Sequence, residues 1–160
     1  MILKRKLEGE FAVMLQSTDL LINVRNKLKS EYDYAVYLDD SKENCESPCF
    51  FLDMLITRTQ RNKYLFQCNA NLYITYFAEK GVVDSFEMYQ IKDNIQRLFA
   101  KGMQVNDRYI KFKYMECETE GQDADIIYFT FKYEYLDNLI EEETEYDLIE
   151  KIYYNMEVEK

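Results

Sequence analysis

The sequence predicts an α+β domain: a mostly antiparallel sheet of about five strands with two helices packed on one face. Three observations predict it. Two windows space their apolar residues as helices do, and five alternate them as half-buried strands do. The four glycines and one proline (Gly9, Pro48, Gly81, Gly102, Gly121) fall between these windows, so the connections are short. Of 160 residues, 48% are hydrophobic, which supplies one core and leaves little room for a second.

The first helical window runs from about Glu10 to Lys29. Phe11, Met14, Leu21 and Leu28 can share a face there, with Leu20 and Val24 beside them. "DYAVYLD", Asp33 to Asp39, reads as a strand, and "DSKENCES", Asp40 to Ser47, as a polar loop. Phe50, Leu52, Met54 and Ile56 then alternate, followed by Tyr64, Phe66, Cys68, Ala70, Leu72, Ile74 and Tyr76. Between these two runs sits "RTQRNK", Arg58 to Lys63, a hairpin tip with three cations. The second strand spans thirteen residues against a usual five or six, so it is expected to project or to bend at a bulge. So much long, apolar strand needs cover, because exposed edges pair with other chains.

"VVDSFEMYQIKDNIQRLFAKG" is the second helix. Asp84 suits its N-cap and Glu87 the capping-box position. Met88, Ile91, Ile95, Leu98 and Phe99 form the apolar stripe, of which Ile91, Ile95 and Leu98 are expected to face Phe66, Leu72, Phe129 and Phe131, and Gly102 suits the C-cap. Strands follow over Arg108 to Cys117 and Ala124 to Tyr135, joined by the polar turn "ETEGQD". "TEYDLIEKIYYNMEVE" reads as a short terminal helix.

Charge divides the chain into residues 1–136, a single α+β domain, and residues 137–160, an acidic extension. The extension holds nine acidic residues against Lys151 and Lys160, a net −7 of the total −10. The body, at −3, is nearly balanced. This argues against a protein that coats nucleic acid, which would present a basic face. No window resembles a signal peptide, and no apolar run is long enough to span a bilayer. The four cysteines read as free thiols of a reducing compartment.

The residues also point away from catalysis. The absence of histidine removes the commonest general base and metal ligand. Cys45 and Cys49 lack the second close pair that a zinc knuckle needs, and the scattered glycines form no phosphate loop. Glu141, Glu142 and Glu143 form a run of the kind that is usually solvated. No catalytic, cofactor-binding or metal site is expected. The 15 Tyr and 10 Phe suit strands, and Tyr equally suits surfaces that a partner buries. Candidate interface residues are Arg58, Gln60, Arg61 and Lys63 at the tip, and Glu141, Glu142, Glu143, Tyr153 and Tyr154 in the extension.

Four features occur together in order: "PCFFLDML" after a polar loop, "RNKYLFQCNANLYITYF", "MYQIKDNIQRLF", and "VNDRYIKF" followed by "DIIYFTFKYEY". This series resembles the small tail terminator proteins of tailed phages, prophages and phage-tail-like particles of Gram-positive bacteria. The resemblance covers about Phe11 to Tyr135 and leaves the acidic extension unmatched. It implies a tail-terminator-like α+β fold with no catalytic residues. It also implies a virion structural protein, assembled in the bacterial cytoplasm, that forms a ring, commonly a hexamer, on the head-proximal end of the tail tube. The implied partners are further copies of the chain, the tube protein, a head connector or collar protein and, in a contractile tail, the sheath protein. Neither a membrane nor sequence-specific nucleic acid is among them. The alternative reading is a soluble acidic adaptor or chaperone-like binding module; a small-molecule enzyme ranks below both.

Overall fold

In the computed structural model, the structure describes residues 14–38 and 45–138. The elements are α1 (Ser17–Glu31), β1 (Ala35–Leu38), β2 (Cys49–Gln60), β3 (Leu65–Phe77), α2 (Ser85–Phe99), β4 (Met103–Val105), β5 (Arg108–Glu120) and β6 (Ile126–Asn138).

The expected α+β class holds, but the sheet differs from the expected one. It has six strands rather than five, in the order β1-β2-β3-β6-β5-β4, and it is mixed rather than mostly antiparallel. β1 runs parallel to β2, with Ala35 beside Cys49 and Leu38 beside Leu52. The ten-residue connection from 39 to 48 permits this, since a tight turn would have forced an antiparallel hairpin. The additional strand, β4, is three residues long, too short for alternation to show in sequence.

Helix α1 starts later than expected. Gln16 is its N-cap, and it forms a reciprocal capping box with Asp19. The buried face is Leu20, Val24 and Leu28, spaced by four, with Leu21 only partly covered. Helix α2 begins as expected at Asp84, whose carboxylate accepts the Phe86 N–H at 3.0 Å. Its buried stripe is Met88, Ile91, Ile95 and Phe99, and Leu98 lies half-buried beside it.

Both helices share one core with one face of the sheet. Cys68, Ala70, Leu72, Ile74 and Tyr76 of β3 enter it, as do Ile127, Phe129, Phe131, Tyr133 and Tyr135 of β6. The Tyr133 hydroxyl donates to the Phe99 carbonyl at 3.1 Å, satisfying an end carbonyl of α2 from inside the core. β5 takes a bulge between Phe112 and Tyr114, which turns both Lys113 and Tyr114 away from the core. That bulge falls on β5 and not on the long hairpin.

Candidate assembly surfaces

The hairpin tip is shorter than the sequence suggests. β2 runs through Gln60, and Arg61–Tyr64 alone form the turn. The Arg61 and Asn62 N–H groups donate to the Leu65 carbonyl, and the Asn62 side chain accepts the Tyr64 N–H at 2.9 Å. Arg61, Lys63 and Tyr64 are exposed there, with the Lys63 ammonium 5.2 Å from the Tyr64 ring centre. Gln60 closes the strand and is exposed. Arg58 lies two residues inside the strand, opposite Cys68, and its guanidinium donates to the Leu15 carbonyl at 3.4 Å. The three cations are therefore not gathered: Arg61 and Lys63 sit at the tip, while Arg58 reaches toward the start of α1. Glu141, Glu142, Glu143, Tyr153 and Tyr154 lie outside the described residues, as does the expected terminal helix.

Beyond the tip, the middle of the sheet face opposite the helices is polar, although Leu55 and Leu136 stand exposed on that face and Phe51 is buried there beside Tyr37 and Phe77. Asn69 pairs across with Glu134, Asn71 with Lys132 and Tyr73 with Thr130. Lys113 bridges to Glu134 at 2.7 Å, and this hydrogen bond holds the Glu134 carboxyl below its usual range. Charge on β5 is graded. Lys111 and Lys113 sit toward the tip end, and Glu116, Glu118 and Glu120 at the other. Among the described residues, both sheet margins are incompletely paired. β1 pairs with only Cys49–Leu52 of β2, and β4 with only Arg108–Ile110 of β5.

A buried ion pair lies near the tip end. Asp137 is 1% exposed; its carboxylate meets the Arg108 guanidinium at 3.0 Å and accepts N–H bonds from Leu15 at 3.0 Å and Asn138 at 2.9 Å. A buried carboxylate requires such compensation. This clasp ties the entry to α1 to the last turn of β6. Sequence reasoning counted Asp137 only as the first charge of the acidic segment, since nothing local distinguishes it from the carboxylates that follow.

The far end of β3 opens into a cleft of about 240 Å³ between the strand end and the start of α2. Tyr34, Tyr76 and Met88 line it, and Glu79, Asp84 and Glu87 stand at its rim. Tyr34 and Tyr76 lie 6.2 Å apart in a row of rings that includes Phe50. Val82, Phe86 and Tyr89 form an exposed apolar ridge beside it, the last two at 70% and 65%. The ridge was missed because reading α2 for its core stripe discards apolar residues off that stripe. A second apolar face at three-residue spacing was the available signal.

Among the described residues, no group of three or more metal-binding side chains converges and no disulfide forms. No helix among them is long and apolar enough to cross a membrane. What the fold presents instead is surface: a basic tip, a polar sheet face, two part-covered margins and an aromatic ridge. These are the candidate surfaces for contact with other proteins. A model of the phage tail terminator protein family matches residues 19–146, and the chain belongs to that family. Members are structural components of the tail, so the partners to look for are other tail components. No curated protein matches the sequence.

Proposed function

We propose that this protein closes the head-proximal end of the tail tube as a ring, ends tube polymerisation and offers the next surface to a head connector or collar protein. The observation that carries this reading is the family match over residues 19–146. The one-sided sheet supports it, because a closed ring joins one patch of each copy to a different patch of the next. The ring is commonly a hexamer, and in a contractile tail its outer surface also meets the last sheath layer. Assembly takes place in the bacterial cytoplasm, and the role requires no catalysis. Residues 1–136 act as the domain, with the acidic segment from 137 onward as an assembly element. Within that segment, Asp137 and Asn138 belong to β6, so the part free to serve assembly begins at Leu139.

The test is tube length. Tube protein polymerised with this protein should yield tubes with one blunt, ring-bearing end and no further growth there. Growth at an unchanged rate from both ends would overturn the reading. Deleting Leu139–Lys160 should leave the melting temperature nearly unchanged and reduce capping. Attraction between the −7 segment and cations such as Arg61 and Lys63 of a neighbour would act mainly on steering and register, so added salt should weaken it. If the truncated chain caps equally well at low and high salt, the segment plays no part in assembly.

A further inference from the structure

We propose that the hairpin tip of one copy docks into the acid-rimmed cleft of the next. The inference deepens the ring reading above and rests on it. The two surfaces are complementary. The tip presents Arg61, Lys63 and the Tyr64 ring, which is 57% exposed. The cleft presents carboxylates on its rim, Glu79, Asp84 and Glu87, over a lining of Tyr34, Tyr76 and Met88. An aromatic side chain flanked by cations fits an aromatic floor flanked by anions, with each charge meeting its opposite.

Size narrows the occupant. About 240 Å³ falls below the usual range of small-molecule pockets, so the cleft suits one inserted side chain better than a metabolite. The chain's own acidic segment is disfavoured, because Glu141, Glu142 and Glu143 would meet like charge at the rim. A copy cannot fill its own cleft either. The tip adjoins the Leu65 end of β3 and the cleft its Phe77 end, so most of the strand, about 40 Å, separates them. Tip and cleft are therefore a donor and an acceptor at opposite ends of one molecule, which is what head-to-tail association requires. The β3–α2 connection supplies the rim, Asp84 is fixed there by its cap, and the tip is fixed by the Asn62 turn, so both surfaces stand preformed.

The experiment uses the full chain, with self-association followed by sedimentation and native mass. Arg61→Glu with Lys63→Glu should weaken association about tenfold or more, since facing like charges cost several kcal/mol. Glu79→Lys with Glu87→Lys should weaken it comparably; Asp84 is kept because it caps α2. Combining the four changes should restore association to near the wild-type value, an outcome that misfolding cannot produce. Tyr64→Ala should weaken association without being rescued by the charge swap. Each variant's melting temperature checks its fold.

If the reversed tip associates as tightly as wild type, the contact is wrong while the ring reading stands. If reversal and rescue work but the particle stops at two copies, the contact holds as a reciprocal pair and the ring reading falls. If the wild type stays monomeric and the reversed tip fails only at tube ends, the cleft's partner is not a second copy and the proposal is overturned.

Discussion

On strand β3, Cys68, Ala70, Leu72, Ile74 and Tyr76 are buried under the helices, whereas Gln67, Asn69, Asn71, Tyr73 and Thr75, interleaved with them, face the other way and are at least partly exposed. β6 repeats the contrast: Ile127, Phe129, Phe131, Tyr133 and Tyr135 point inward, and Tyr128, Thr130, Lys132, Glu134 and Leu136 point outward. The same strands thus carry two surfaces with different tasks. The inner one is apolar, close-packed and sensitive to volume. The outer one keeps enough amide, hydroxyl and charge to stay wetted until something covers it. A substitution's effect should therefore depend more on the face it lies on than on its distance along the chain.

The largest effects belong to the inner face. Phe99→Ala removes a fully buried ring that lies tilted against Phe131 at 5.4 Å between ring centres, and should cost about 3–5 kcal/mol by denaturant unfolding. Leu98→Ala, beside it but half-buried, should cost distinctly less; equal losses would show that the helix face is misassigned. Arg108→Ala leaves the Asp137 carboxylate buried without its cation, which typically costs about 3–5 kcal/mol. A loss below about 1 kcal/mol would mean that water replaces the guanidinium there.

Gly102→Ala should come next. Gly102 has φ +80°, and a Cβ there would lie 2.6 Å from the Ile110 carbonyl oxygen. Backbone cannot move aside as a side-chain end can, so a cost of about 1–3 kcal/mol is expected from strain alone.

Alkaline titration reports on the buried phenols and on the Cys49 thiol. Burial raises the pKa of Tyr76, Tyr133 and Tyr135, and burial followed by the hydrogen bond to Cys45 raises that of Cys49 to about 12. Each group is neutral when protonated, so its folded pKa lies above its unfolded one. The stability these groups confer is complete below the unfolded values of about 8.5–10 and is lost as pH rises through the folded values. The denaturant midpoint should hold steady to about pH 8 and fall progressively above pH 9 to 10. A midpoint unchanged at pH 11 would contradict the burial of these groups.

The smallest effect belongs to the outer face. Asn71→Ala and Thr130→Ala should each change stability by no more than about 0.5 kcal/mol. Larger losses would show that this face is packed within the monomer.

Legibility in the sequence followed the same division. The inner face announced itself because alternation and helical stripes are the imprint of burial; Leu72, Ile74, Phe129 and Phe131 were readable on that basis. Boundaries that depend on a single polar contact were not. Gln16 with Asp19 sets the start of α1, and no apolar pattern reports it. The parallel pairing of β1 was hidden because alternation carries no information about strand direction. The tip was readable as polar and basic, but which cations share it depends on where β2 stops, and Arg58 fell on the strand side of that boundary. The cleft was illegible because it is made jointly by residues from Tyr34 to Met88, brought together only by the fold.

The Asp137 clasp has a mechanical consequence. The Leu15 and Asn138 N–H groups both donate to the Asp137 carboxylate, so the first and last of the described elements are tied at one point. Tension applied between Leu15 and Asn138 would reach the Leu15–Asp137 bond before it reached the long ladders of β3 and β6. Such a pull would then register first as release of the α1 entry from β6, with the sheet still unstrained. Under force, the buried carboxylate would act as the domain's fuse.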